Sequence, residues 1–423
     1  MKKYPLIALF FVLTTIVKAQ DFNNYKPIKA EGIIPKEFIT PSATKYKADI
    51  KKINDKTKRK EKQNRKRFAL ETNFVLDDIL QSGLVLFNDK ITNYLNQVMK
   101  ILIKNGETKF AKTKIYALRS SAVNAFATGR GEIFVTFGLL AQMENEAQLA
   151  FILSHELTHI EEQHALELFL ETNDVKKDGS KRDVLKNGRL NDKLLGKHNY
   201  KKELESEADE KGLKRFLNTS YSIASIREVF DVLKYSYLPF DDVVFDYNIF
   251  QNDAYILPES YRLANVKAIN GETEDKDDSK SSHPNIANRK KNLIAALENV
   301  NDTGKSEYLV SKEQFNTVQQ MARFELPLLY LKSEQFVQAV YTSYLLLKKY
   351  PESIYLKKCM AKSLYYQAKY SNDTAYTYTS DYKEVEGESQ RLHYLMEQIK
   401  APELTILAMR YAWQVLAINP NDA

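Results

Sequence analysis

The chain has 423 residues, 43% of them hydrophobic and 28% charged, with a formal charge of +7 and a single cysteine. That length and composition suit a globular protein of two domains, and one cysteine excludes an internal disulfide framework. The charge is uneven: loss of Lys2, Lys3 and Lys18 with a leader takes +7 to +4, and Lys45 to Arg67 sets twelve Lys or Arg against Asp49, Asp55 and Glu61, so the remainder is slightly acidic.

Lys2 and Lys3 precede an apolar run from Pro5 to Val17, and Val17-Lys18-Ala19 has the small-residue pattern of a cleavage site. Residues 1–19 read as a signal peptide, because the run is too short for a membrane anchor. No cysteine follows it to carry a lipid, and no later stretch is apolar enough to span a bilayer. Export makes nucleic acid a poor partner. Residues 20–44, with Pro27, Gly32, Pro35 and Pro41, read as an extended arm. Together with the basic run, residues 20–67 form a polar N-terminal segment. Residues 45–67 lack Gly and Pro and predict a solvated helix, either an ordinary charged surface or a contact for anionic lipid or an acidic partner.

Residues 68–105 carry apolar side chains at helical spacing and predict one or two helices. Lys114 to Leu118 predicts a strand. Asn124 to Ala127, Gly129-Arg130-Gly131 and Ile133 to Thr136 predict a hairpin whose glycines suit positive φ. From Asn145 to Thr172 there is no Gly or Pro, and Leu149, Ile152, Leu153, Leu157 and Ile160 recur at helical spacing. Inside this helix His155, Glu156 and His159 form H-E-x-x-H. Positions i and i+4 share a face, so both imidazoles can bind one Zn²⁺ while Glu156 reaches a water beside it. The motif is short enough to arise by chance on an amphipathic helix, so a third ligand decides. Glu162 and Ala165 stand where a metzincin needs Gly and His, which excludes that class. His164 is one position early and is expected to be an ordinary polar helix residue.

Residues 173–200 are polar and long enough for a mobile flap or a surface insertion. Residues 203–212 read ELESEADEKG, which puts Glu205 and Asp209 at i and i+4 on a second helix. They are a solvated acidic face, or Glu205 completes a His₂Glu site and Asp209 holds a ligand imidazole from behind. A helix is predicted from Ile226 to Leu238. A polar acidic loop, Thr273 to Ser282, delivers His283 and Pro284, and a lone loop histidine ordinarily faces solvent.

The stretches NAFATGRGEIFVTFGLLAQMENEAQLAFILSHELTHIEEQH, ESEADEKGL and SHPNIANR resemble the zinc metallopeptidases of the CAAX prenyl protease/HtpX family. The resemblance is greatest to that family's soluble periplasmic BepA-like branch, with C-terminal tetratricopeptide repeats, and runs from about residue 80 to 300. It implies His155, His159 and Glu205 as ligands of one Zn²⁺ per chain, Glu156 as general base and Asp209 behind the ligands. It places Asn124, Ala125 and Phe126 on an edge strand beside the cleft, where an extended substrate can pair, although the hairpin can also brace the metal helix. It matches His283 and Arg289 to a His-Pro and a following Arg. His283 then becomes a fourth ligand that blocks the open metal position, or an oxyanion stabiliser.

Residues 301–423 show no strand pattern. Pro351 and Pro420 each close an apolar helix, and they lie 69 residues apart, near two 34-residue repeats. Leu326, Tyr330, Ala339, Leu395 and Ala408 fall on favoured repeat positions, while Pro327 and the polar loop Asn372 to Ser389 disturb them. Irregular repeats with a concave binding face, or a helical bundle packed on the protease, both fit. Cys359 is expected to be a small buried residue.

The fold expected is α+β and mainly α: a signal peptide at 1–19, the N-terminal segment 20–67, a gluzincin-type metallopeptidase domain with a small sheet at 68–300, and an all-α tetratricopeptide-like domain at 301–423. The function expected is that of an exported periplasmic zinc metalloendopeptidase, peripheral to a membrane at most. The resemblance implies misassembled envelope or outer-membrane proteins as substrates and outer-membrane assembly machinery as partner. The alternative is a chaperone-like assembly factor acting through its repeats with a latent zinc site.

Overall fold

The computed structural model describes residues 20–103, 107, 110, 113–175, 202–253, 255–269, 285–371, 381–418 and 420. The signal-peptide reading, most of the 173–200 segment, the acidic loop and His283 lie outside them. So does most of the polar loop beginning at Asn372.

The polar arm is pinned rather than free. Tyr25 and Ile28 are buried, and the Glu325 carboxylate accepts from the Tyr25 hydroxyl at 2.7 Å and the Ile28 amide at 2.8 Å. The basic run is split between two helices, α2 (Ser42–Ile50) and α3 (Arg59–Gln81), preceded by a single turn, α1 (Lys36–Ile39). The break has a local cause. The Asn54 side chain accepts from the Lys56 amide at 2.9 Å, the turn chemistry that Asn supplies.

Helix α4 (Lys90–Leu102) starts on an Asp89 cap that accepts from the amides of Ile91 and Thr92. Three strands follow, β1 (Lys114–Leu118), β2 (Ala125–Ala127) and β3 (Glu132–Thr136). Their order is β1-β3-β2, with β1 parallel and β2 antiparallel to β3. The predicted hairpin is thus β2–β3, and β2 is an edge. Alternation sends Tyr116, Phe126 and Phe134 onto Leu76, Ile79 and Leu80 of α3. The opposite face, with Ile115, Ala125 and Ile133, joins the main core.

The short helix α5 (Phe137–Gln142) leads to α6 (Glu146–Glu161), buried along almost its whole length. The predicted single helix from Asn145 to Thr172 is in fact two. Gln163 takes φ 57°, and α7 (His164–Val175) starts on its far side. Next come α8 (Lys202–Leu217), a short α9 (Val229–Lys234) and α10 (Ile286–Leu297). The C-terminal region holds α11 (Lys312–Lys332), α12 (Phe336–Lys349), α13 (Ile354–Ser371), α14 (Gln390–Gln398) and α15 (Ala401–Ile418).

The core crosses position 300 in both directions. Phe315, Val318 and Phe324 of α11 belong to the same cluster as α4, the sheet and α6. Glu146, in the first turn of α6, accepts from the amides of Leu309 and Val310 at 2.8 Å and of Ser311 at 3.2 Å. In the other direction Phe245, Phe250, Leu257 and Tyr261 pack with α12 to α15. Cys359 is buried as expected, and burial pushes its thiol up to about 12. Among the described residues no helix is long and apolar enough to cross a membrane.

Candidate metal centre

Two helices make the site. Asn145 caps α6 by accepting from the Gln148 amide at 3.0 Å, and the apolar residues around the motif anchor α6 in the core. Helix α8 crosses α6 very closely at one point. A Cβ on Gly212 would lie 3.1 Å from the backbone of His155, a tighter contact than side chains usually make, so glycine suits this close approach of the two backbones. That approach brings Glu205 and Asp209 to the two imidazoles.

His155 Nε2 and His159 Nε2 are 2.9 Å apart, and the Glu205 oxygens lie 3.6 Å and 3.4 Å from them. All three side chains are buried. Tetrahedral zinc with bonds of about 2.0–2.1 Å needs ligand atoms about 3.3 Å apart, so this donor set fits the ion. The charges fit too. Glu156, Glu205 and Asp209 face a single guanidinium, Arg289, and the two carboxylates in excess match a divalent cation. Two inward-facing imidazole nitrogens at this separation also need a proton or a cation between them.

Asp209 stands behind His155, its Oδ1 2.9 Å from Nδ1. Zinc binding through Nε2 assigns the proton to Nδ1, so the ring donates and the carboxylate accepts. Burial by itself would raise the Asp209 pKa. The positive charge and hydrogen bonds of Arg289, with the bond from His155, hold it down at about 2. Arg289 is itself buried. It donates from Nε and Nη2 to Asp209 at 2.7 and 2.8 Å, and its Nη1 lies 2.7 Å from Glu205 Oε2. Burial disfavours its charge, but Asp209 and Glu205 outweigh that and hold its pKa above the ordinary arginine value. The sequence matched Arg289 to a motif that follows the histidine loop. In the structure its guanidinium bridges the two carboxylates, Asp209 and Glu205.

Asn124 and Ala125 line a cavity of about 30 Å³ with His155, Glu156 and Phe151, so the edge strand reaches the site. The Phe126 side chain points to the opposite face of the sheet and stacks on Phe134.

His164 is not an ordinary polar helix residue. It is fully buried, with Nδ1 2.9 Å from His159 Nδ1 and Nε2 3.3 Å from Glu207 Oε2. Its spacing hid it, because five residues along a straight helix lead well away from His159. The positive φ at Gln163 turns it back.

The family model for Peptidase family M48 matches residues 89–177. The beta-barrel assembly-enhancing protease of Yersinia pestis is 25% identical over 91 residues, 22% of this chain and 19% of that protein. The proteins of the same name from Escherichia coli (strain K12) and Shigella flexneri are each 27% identical over 86 residues, 20% of this chain and 18% of theirs. The match thus spans about a fifth of the length of these relatives. The matched segment begins at the cap of α4 and ends in α7, so it holds the sheet and both metal-facing imidazoles, and over these residues the chain matches peptidase family M48, the zinc metallopeptidases.

Proposed function

We propose that the protein is a zinc-dependent endopeptidase exported to the periplasm, with His155, His159 and Glu205 as metal ligands and Glu156 as general base. The observation that carries this is the convergence of the three buried donors, whose ligand atoms all lie within 4.8 Å of one another, with Glu156 adjacent on the same helix. Zinc bound there supplies Lewis acidity and lowers the pKa of water toward 7. Glu156 takes the proton from water and returns it to the leaving amine. Asp209 and Arg289 keep the His155 and Glu205 donors aimed at the ion. Asn124 and Ala125 at the sheet edge offer backbone for an extended substrate, and His283, beyond the described residues, remains our candidate for closing the fourth metal position or for steadying the oxyanion.

The relatives' printed name supports substrates or partners connected with β-barrel assembly in an outer membrane. Helices α11 to α15 are the proposed tetratricopeptide-like region that would hold such proteins. The decisive experiment is metal analysis of the mature protein with casein degradation. One zinc per chain, with activity lost in Glu156→Gln while zinc is kept, is the expected result. Undiminished casein degradation in Glu156→Gln would mean that Glu156 is not the general base, and a zinc-loaded wild type that degrades no casein would favour the assembly-factor reading.

Peripheral membrane contact belongs to the same reading. Helix α3 exposes Arg59, Gln63, Leu70 and Phe74 along one line, with Leu70 55% and Phe74 59% accessible. Lys47, Lys51, Lys56, Lys58 and Arg59 are exposed and form no ion pair among the described residues. Apolar side chains flanked by free cations suit an anionic lipid surface. Salt-sensitive sedimentation with anionic, but not zwitterionic, vesicles is the expected outcome.

A further inference from the structure

The zinc reading leaves one question open at the second imidazole. Asp209 fixes the ring of His155, and the neighbour at Nδ1 of His159 is of a different kind. What stands there is His164, at 2.9 Å and fully buried.

The backbone shows how it arrives. Helix α6 ends at Glu161, and Gln163 adopts φ 57°. The Gln163 carbonyl then accepts from the amides of Leu166 and Glu167, at 2.9 and 3.0 Å, to open the next helix. On an unbroken helix, His164 would lie about 140° around the axis from His159. The left-handed residue replaces that divergence with contact.

Proton counting sets the direction of the bond. Two ring nitrogens at 2.9 Å share one proton. A neutral His159 that offers the Nε2 lone pair to zinc must carry its proton on Nδ1, so His159 donates and His164 accepts. A neutral His164 then carries its proton on Nε2, which is the nitrogen that faces Glu207 Oε2 at 3.3 Å. Glu207 is held in turn by Lys211 at 2.7 Å, and Lys211 also reaches Glu162 at 2.7 Å. Both imidazole N–H groups on this path meet an acceptor under this one assignment.

We infer that His164 is a positioning residue for the metal centre: it fixes the Nδ1–H tautomer of His159 and turns the Nε2 lone pair toward the donor set, with Glu207 fixing His164 in the same way. The inference rests on the zinc reading above. It makes the site a His₂Glu centre with two dissimilar supports, a carboxylate behind one imidazole and a neutral imidazole behind the other.

The test measures zinc affinity of the full-length mature chain by competition with a chelator, alongside thermal melting of the metal-free protein. His164→Ala should bind zinc about 10- to 100-fold more weakly, the usual effect of losing such a support. His164→Asn places Oδ1 about where Nδ1 stood and should recover most of the affinity. Wild-type affinity in His164→Ala would overturn the inference, as would an Asn variant that melts like wild type but binds as weakly as Ala. If His164→Ala does not fold, ¹⁵N side-chain spectra of the zinc-loaded wild type decide, a tractable measurement with six histidines in the chain. A protonated Nδ1 on His159 supports the assignment, and its absence refutes it. A wild type that binds no zinc at all would instead bring down the zinc reading, and this inference with it.

Discussion

The two sides of the metal centre are built from different chemistry. Behind His155 lies a buried charged pair, with Asp209 13% and Arg289 3% accessible at the side chain. Behind His159 lies a neutral imidazole, and behind that Glu207, 40% accessible and shared with a surface lysine. The deep side balances its charges internally, where water screens little. The shallow side hands its last interaction to solvent, where a carboxylate's worth is small. Stability and ligand aim should therefore depend mostly on the deep side, and the shallow side should only adjust them.

The largest effect should come from the one residue that touches both sides. Glu205 lies within 3.6 Å of both imidazoles and is clamped by Arg289. Glu205→Ala removes a ligand rather than a support, so zinc affinity should fall by more than about 100-fold, beyond the range expected for supporting residues. Stoichiometric zinc in that variant, measured by atomic absorption, would mean that the third ligand lies elsewhere.

Arg289→Met comes next. It leaves Glu205 and Asp209 buried without their cation, and breaking a buried pair from one end costs about 3–5 kcal/mol. Thermal melts should show a large loss in the metal-free protein and a smaller one with zinc, which supplies positive charge to the same carboxylates. Equal losses with and without zinc would place the role of Arg289 in packing alone.

How much of this was legible beforehand follows from where each interaction is encoded. His155, Glu156, His159, Glu205 and Asp209 lie at helical spacings, and helix geometry is regular enough to turn spacing into proximity. The hairpin was legible because Gly131, at φ 106°, marks its turn. His164 was not, because a positive φ at glutamine answers to no residue preference. The burial of the arm was hidden as well. It depends on Glu325, 300 positions from Tyr25, and a buried carboxylate in a helix looks like any surface one in sequence. The loss of strand pattern after residue 301 was visible, but the packing of α11 into the core of the matched segment was not. A truncation at 301 should thus expose the first core, while one placed after α11 should be better tolerated.

On the deep side, Asp209→Ala should weaken zinc binding by about 10- to 100-fold. It should also alter acid unfolding of the metal-free protein. The folded pKa of Asp209 is lowered from 3.8 to about 2. A lowered carboxylate contributes stability that is complete above the unfolded value and disappears as pH falls through the folded one. The wild type should therefore lose this contribution between about pH 4 and pH 2, and the variant should lack that part of the transition. Identical acid unfolding curves would show that the ion pair with Arg289 contributes nothing net.

The smallest effect should belong to Glu207→Gln, and its smallness is the sharpest test of the contrast. Lys211 first, and His164 after it, hold the Glu207 pKa below the ordinary carboxylate value, against a small opposing effect of burial. Glutamine keeps a carbonyl oxygen that can accept from His164 Nε2, so the tautomer of His164, and through it that of His159, survives. What is lost is a charge at a largely exposed position, and exposed pairs contribute about 1 kcal/mol or less. Zinc affinity should fall only a few-fold, well short of the change in Asp209→Ala, and added salt should shrink the difference further. A loss as large as that of Asp209→Ala, persisting in high salt, would mean that the Glu207 charge reaches the metal through His164 undiminished. The two sides would then be equivalent, and the contrast between a deep and a shallow support would fail.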